Sequence, residues 1–187
     1  MDEKKLANAV LFLLRDCAPA RPGLTALLKM LFLADYEHYR QHLRPITGCR
    51  YVALERGPVL DNYGAVFDRL AESGVLTVKE VPVEGHPEQP KIEYSPAREP
   101  DEAALTETEL EVLAEVVRRC AGMSGASLTN LTHREGPWPF IWKSTDPGRR
   151  IPPMAFRWLD NMPDEADLAE AKKAISRPAV ADLIATF

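Results

Sequence analysis

The chain has 187 residues, of which 45% are hydrophobic and 27% charged, a composition typical of a globular protein with a core of its own. The formal net charge is -5, which gives no electrostatic reason to expect tight non-specific nucleic-acid binding and leaves only a local basic patch as a route to it. The longest apolar stretch, from Leu24 to Ala34, is interrupted by polar residues and falls short of the ~20 residues that cross a bilayer, so we expect no membrane partner.

The N-terminus and the cysteines bear on location. Met1 to Lys5 is charged and leads into an amphipathic pattern, not into the unbroken apolar core of a secretory signal. Cys17, Cys49 and Cys120 are odd in number, widely spaced and without a CxxC pair. They predict neither a disulfide framework nor a zinc site. We therefore expect a soluble, cytoplasmic protein with reduced cysteines.

Hydrophobic periodicity predicts two helices at the start of the chain. Apolar residues recur at helical spacing from about Asp2 to Asp16, which predicts an amphipathic helix with one core face. From Leu24 to about Gln41 almost no polar side remains, which is typical of a helix packed by neighbours all round. We predict that this second helix is the central one.

A short extended run and a helix are predicted next. Arg50 to Leu54 is the extended run, and Gly57 with Pro58 closes it. Because proline suits the first turn of a helix, we predict a helix from near Pro58 to Ser73, with Gly74 as its C-terminal cap.

One β-hairpin is predicted, at about residues 75–94. Its strands are Val75 to Val83 and Lys91 to Tyr94, and Glu84 to Glu88 forms a polar loop between them. The pattern supports no other sheet.

The rest of the chain is predicted to be helical. Thr106 and Glu109 form a capping box at the start of a helix that Gly122 and Gly125 end. A short helix from about Ala126 follows, then a rigid Pro-rich loop at 136–139 and C-terminal helices at about 164–186. The predicted fold is mainly α: a compact single-domain helical bundle of residues 1–187 with a small β-hairpin, placed like the insertion of a winged-helix protein.

Several stretches, in a fixed order along the chain, match the sequence pattern of a known family. They are Lys29 to His38, Arg44 to Gly48, Arg50 to Ala53, Gly57 to Val59 and, later, Leu131 to Glu135 with Trp138. Together they resemble the Panacea domain of SocA-like antitoxins, with Gly48, Gly57 and Pro58 as the motif loop. The chain departs from the pattern at Cys49, where an acidic residue is expected, and at Leu60, where a second proline is common.

The resemblance implies a bacterial or phage antitoxin that binds its cognate toxin directly, without catalysis and without a cofactor. Some relatives look like proteolytic adaptors that hand their toxin to a Clp-type protease, which makes that protease a second implied partner. In the family pattern Asp35, Tyr51, His133 and Trp138 recur together. We hypothesise that they form one polar cluster at the domain's centre; the alternative is that Asp35 only orients local backbone.

Two histidine patterns suggest chemistry but also fit structural roles. His38 and His42 are spaced i, i+4, as in metal sites, but no third ligand is evident, so we predict a solvated helix face and no metal. His133 with Glu135 resembles a general acid/base pair, yet no nucleophile is identifiable. We interpret His133 as a structural residue that ties a short helix to the core.

The large aromatic residues concentrate near the C-terminal third, and aromatic residues often anchor interfaces. We predict that Trp138 is buried and that Trp142 or Trp158 is partly exposed. Phe187 ends an apolar helix face that either closes the core or docks a partner. The candidate partner-binding residues are Trp142, Trp158 and Phe187.

Three functions compete on sequence alone. The first is the antitoxin that masks a toxin. The second is a winged-helix-like transcriptional regulator, against which the acidic balance argues, because Arg69 is the only cation of the predicted recognition helix. The third is a hydrolase built on Asp35 and His133, which no spacing supports.

Overall fold

The computed structural model describes residues 1–83, 86–134, 138–139 and 150–151. This part of the protein is mainly α-helical and carries two small antiparallel sheets. The helices are α1 (Glu3–Asp16), α2 (Leu24–His42), α3 (Tyr63–Glu72), α4 (Glu107–Cys120) and α5 (Gly125–Thr132), with a 3-10 turn at Glu102–Ala104. The strands are β1 (Tyr51–Leu54), β2 (Gly57–Leu60), β3 (Leu76–Val83), β4 (His86–Pro96) and β5 (Arg150–Ile151).

The first two helices confirm the sequence prediction. The Asp2 carboxylate accepts a hydrogen bond from the Lys5 N–H and caps α1, whose apolar face is buried. Twelve of the 19 residues of α2 are buried, since α1, α4, α5, β2 and β4 all contact it. α2 is therefore the central helix, and the polar side chains that it buries need partners.

The segment after β1 differs from the prediction. The predicted helix start at Pro58 is wrong, because Gly57–Leu60 is a strand that pairs with β1, and α3 begins only at Tyr63. Pairing with β1 therefore outweighs the preference of proline for the first turn of a helix. The prediction of a single sheet is wrong as well, since β2, β1 and β5 form a second one in that order.

The end of α3 and the predicted hairpin are present. Gly74 has φ +71 and ends α3, with the Val75 N–H donating to Leu70 O (2.9 Å) and the Gly74 N–H to Ala71 O (3.0 Å). β3 and β4 then pair antiparallel, with Val78 opposite Tyr94. β4 begins at His86 instead of Lys91, so the connection is shorter than predicted.

The capping box that opens α4 is confirmed: Thr106 and Glu109 exchange their hydrogen bonds as predicted. Gly122, with φ +77, follows the end of α4. Gly125 does not belong to that ending; it opens α5, which Ser124 caps through the Ser127 N–H.

The described helices bear on one further prediction: none of them is long and apolar enough to cross a membrane. The predicted C-terminal helices at about 164–186 lie outside the described residues, as does most of the Pro-rich loop at 136–139. The single-domain organisation of residues 1–187 stays a prediction.

Candidate functional site

Asp35 is a fully buried carboxylate on α2. The Thr47 N–H donates to its Oδ1 (2.7 Å), and the hydroxyls of Thr47 and Tyr51 donate to its Oδ2 (2.5 and 2.8 Å). Burial raises the pKa of Asp35, and these hydrogen bonds oppose the rise. Asp35 thus ties the central helix to the turn before β1 and to the first residue of β1.

Tyr51 faces the same tie from β1. Its ring is fully buried and meets Phe32 edge to face, with 5.3 Å between ring centroids. Burial, together with the Asp35 charge, raises the pKa of Tyr51 well above its usual value, so the phenol keeps the proton that it donates. We call Asp35, Thr47 and Tyr51 the Asp35 tie.

The turn between β1 and β2 is held by three side chains from three different parts of the fold. Each of them donates a hydrogen bond to a main-chain carbonyl of residues 54–58, which we call the hairpin tip. The bonds run from Trp138 Nε1 to Leu54 O (2.8 Å), from Thr129 Oγ1 to Arg56 O (3.3 Å) and from Lys29 Nζ to Pro58 O (2.8 Å). We call the three donors the hairpin clamp.

Gly57 lets the clamp close. Its φ is +97, a backbone conformation that residues other than glycine rarely adopt. A Cβ at this position would lie only 2.9 Å from both Lys29 Nζ and Thr132 Oγ1. Glycine is therefore needed here both for the backbone conformation and for the approach of Lys29.

Lys29 is a fully buried cation on α2. Burial lowers its pKa from 10.5 to about 8. Among the described residues it forms no ion pair, and its acceptor is the neutral carbonyl of Pro58. Near neutral pH the buried positive charge of Lys29 is therefore stabilised by little more than this hydrogen bond.

His133, which caps the C-terminus of α5, stacks flat on Trp138, with ring centroids 3.7 Å apart and planes 3° apart. Burial, and then the Lys29 charge, lower the pKa of His133 from 6.5. Its Nε2 atom is buried and has no hydrogen-bond partner in the described part of the protein. At neutral pH the ring is therefore uncharged.

The four residues of the hypothesised polar cluster fall into two pairs along β1. Asp35 bonds Tyr51, the first residue of β1, whereas Trp138, with His133 stacked on it, bonds Leu54, the last. A four-residue strand separates its ends by about 10 Å. A hydrolase would need the acid and the imidazole side by side, and this arrangement lends that idea no support.

The motif loop is split in the same way. Gly48, with φ +62, lies in the turn next to the Asp35 tie, whereas Gly57 and Pro58 belong to the hairpin tip. The candidate partner-binding residues Trp142, Trp158 and Phe187 lie outside the described residues and stay predictions.

The sequence prediction missed Lys29 and Thr129 as members of the site. Lys29 was visible as the single cation inside the apolar run of α2. A buried lysine needs an acceptor, which is a signal that sequence offers. Its acceptor is a main-chain carbonyl, however, and no side-chain pattern reveals that choice.

The prediction of a solvated face for His38 and His42 is wrong for His38. His38, on α2, is fully buried, with Nδ1 2.7 Å from Arg44 O and Nε2 3.3 Å from Thr108 Oγ1 of α4. Both ring nitrogens thus have partners, while His42 remains exposed. The described residues contain no group of three side chains suited to a metal ion.

Comparison with protein families shows which family the chain belongs to. The family model described as "Antitoxin SocA-like, Panacea domain" matches residues 27–139, which span the Asp35 tie and the hairpin clamp. The match covers more than half of the chain, and the protein belongs to this family of SocA-like antitoxins. Comparison with curated proteins and with solved structures gives no match.

Proposed function

We propose that the protein neutralises a cognate toxin by binding it directly. The observation that carries this proposal is the family match over residues 27–139, which coincides with the two features that fix the β1–β2 hairpin. In each feature a buried charged side chain, Asp35 in one and Lys29 in the other, helps to hold main-chain groups in place. A hairpin fixed in this way suits a rigid binding surface, because a surface that is already ordered before binding loses less conformational entropy in the complex.

The hairpin tip is the first place to look for toxin contacts. Glu55 and Arg56 are exposed, and the Leu54 side chain next to them is 39% exposed although it is apolar. The clamp holds this short segment from three sides. An exposed apolar residue flanked by charges on a rigid turn suits specific protein contact.

Co-expression with the product of the adjacent reading frame tests the proposal. We expect the neighbour to be toxic alone, growth to be rescued by this protein, and the two chains to co-purify. A harmless neighbour that does not bind would contradict the antitoxin role.

Variants of the tip test the contact surface. The double variant Glu55→Ala with Arg56→Ala should weaken rescue and co-purification while leaving the melting temperature unchanged. The matched control is Glu115→Ala with Arg118→Ala, which removes an exposed ion pair from α4. If both double variants rescue equally well, the tip is not a toxin contact.

A Clp-type protease is the further partner that this function suggests. If the protein is an adaptor, the toxin should disappear faster in cells that contain both the protease and this protein than in cells that lack either. A toxin lifetime that is unchanged by protease deletion would leave masking as the whole mechanism.

A winged-helix-like regulator is the alternative. The order of α3 followed by the β3–β4 hairpin favours it. Against it, Arg69 is the only cation of α3, which also carries Asp68 and Glu72, a poor surface for phosphates. Gel-shift titration with promoter DNA of the protein's own operon distinguishes the two, since the antitoxin proposal on its own predicts no specific shift.

A further inference from the structure

Leu43 ends the central helix α2 in a backbone conformation that leucine rarely adopts. Its φ is +57, in the left-handed region where glycine or asparagine usually stands, because a Cβ there crowds the following carbonyl oxygen. Its side chain is also 63% exposed. A leucine at this position adds backbone strain and exposed apolar surface, and neither stabilises the fold.

The turn that carries Leu43 is fixed from both sides. The Leu43 N–H donates to Tyr39 O (2.8 Å), and Nδ1 of the buried His38 ring lies 2.7 Å from Arg44 O. The Asp35 tie fixes the chain just beyond it. Strained residues persist only where the surrounding structure imposes them, and they cluster at binding surfaces and other functional sites. We call residues 40–44 the Leu43 turn.

An open groove of about 410 Å³ lies between α2 and α4 beside this turn. Gln41, which belongs to the turn, also lines the groove, so the two features are next to each other on the surface. From α4 come the buried Val112 and Val116 and the exposed Glu111 and Glu115. This α2–α4 groove therefore combines apolar side chains with acids.

The charges of the turn and the groove are complementary. The turn carries two arginines and a histidine but no acid, whereas the groove carries three glutamates and one arginine. Glu37 and Glu115 already have arginine partners in the same chain. Arg44 of the turn and Glu111 of the groove are both exposed, and neither forms an ion pair with a described residue. A contact between two molecules can pair these two charges.

We propose that two copies of the chain form a symmetric dimer, in which the Leu43 side chain of each copy enters the α2–α4 groove of the other and Arg44 pairs with Glu111 across the interface. A two-fold dimer brings the same surface of both copies together, so the turn and the groove must be neighbours on one molecule. Gln41, shared by both, meets this requirement. The fixed backbone of the turn lowers the entropy cost of association.

Sedimentation velocity of the purified wild-type protein over a wide concentration range is the first test. We expect an equilibrium between monomer and dimer, with the dimer favoured at high concentration. A protein that stays monomeric at the highest concentration would overturn the proposal. No toxin is present in this experiment, so its outcome is independent of the toxin-binding proposal.

Leu43→Asn separates association from folding. Asparagine adopts the left-handed conformation more readily than leucine, so the melting temperature of the monomer should stay the same or rise. The dimer Kd should rise at least about tenfold, because the apolar side chain in the groove is lost. Val78→Thr is the control at another exposed apolar residue, on β3, and should leave the Kd unchanged. An unchanged Kd in Leu43→Asn, or an equal rise in both variants, would overturn the proposal.

Charge reversal tests the reciprocal contact. Arg44→Glu alone and Glu111→Arg alone each place like charges against each other in both halves of the interface, so each variant should dimerise more weakly than the wild type. In an equal mixture, the reversed turn of one variant meets the reversed groove of the other, and the second half of the interface keeps the wild-type pair. We therefore expect the mixture to regain the dimer. Single variants that dimerise like the wild type, or a mixture that stays monomeric, would show that these surfaces do not meet.

Discussion

Lys29 is a titratable cation in the buried stretch of the central helix α2, and its burial should be visible in the pH dependence of stability. Its pKa is lowered from 10.5 to about 8 in the folded state. Between these two values the unfolded chain binds more protons than the native protein, so the free energy of unfolding rises with pH there. The cost of burying the charge is fully present below the window and is relieved as pH rises through it.

We therefore predict that the stability difference between wild type and Lys29→Met shifts in favour of the wild type by up to about 3 kcal/mol from pH 7.5 to 10.5. Urea denaturation at several pH values measures it. Lys4→Met controls for the loss of a positive charge at an exposed position. A difference that is independent of pH would show that Lys29 keeps the same protonation in the folded and unfolded states.

Three glycines form a matched series for the hairpin tip. Gly57→Ala combines a strained φ of +97 with contacts at 2.9 Å to Lys29 and Thr132, and should cost about 3 kcal/mol or more. Gly74→Ala meets nothing within 4 Å and carries only the strain of φ +71, about 1 kcal/mol. Gly64→Ala lies inside α3 with open space around it and should stabilise the protein by up to about 1 kcal/mol. Thermal denaturation should rank the three in this order, and equal losses at Gly57 and Gly74 would show that Lys29 does not crowd the tip.

At the scale of the element, α4 is anchored where it begins. Glu109 closes the capping box, is fully buried and pairs with Lys5 of α1 at 2.5 Å. Burial opposes the ionisation of Glu109, but the hydrogen bonds from Lys5 and from the Thr106 N–H outweigh it and lower its pKa. The start of one helix is thereby fixed to the face of another.

We predict that Glu109→Gln lowers stability at pH 7 by about 2 kcal/mol, since it removes the charge and leaves Lys5 without its partner. Because the folded pKa is below the unfolded one, this contribution is present above the unfolded pKa and is lost as pH falls through the folded value. The difference from the wild type should therefore shrink in acid. Glu107→Gln is the control, an exposed acid in the same first turn; an equal effect there would mean that general helix charge, not the Lys5 pair, is responsible.

Elements with a long periodic pattern could be predicted from sequence, and those defined by pairing with distant residues could not. The amphipathic pattern of α1, the apolar run of α2 and the capping box at Thr106 are local signals. The four residues of β2 were predicted to begin a helix. They form a strand because they pair with β1 and because Lys29 donates a hydrogen bond to Pro58 O, and neither contact is a local signal. His38 looked solvated for the same reason: α4, seventy residues later in the chain, covers it.

On the scale of the whole molecule, stability should be graded from α2 outward. α2 packs against α1, α4, α5, β2 and β4, whereas the β3–β4 hairpin exposes Thr77 to Glu80 to solvent. We predict that amides of Leu27 to Asp35 exchange only through global unfolding, and that amides of β3 exchange roughly a hundredfold faster or more. Native-state hydrogen exchange measures this, and a hairpin as protected as α2 would contradict the gradient.

The hairpin clamp also bears on how such a protein can change partner over generations. Its acceptors at residues 54, 56 and 58 are main-chain oxygens, which every amino acid possesses. Substitutions at Glu55 and Arg56 can therefore alter what the tip presents without removing a single anchor. Under the proposed function, a lineage facing new toxins could diversify the toxin-binding surface there while the architecture beneath it stays the same.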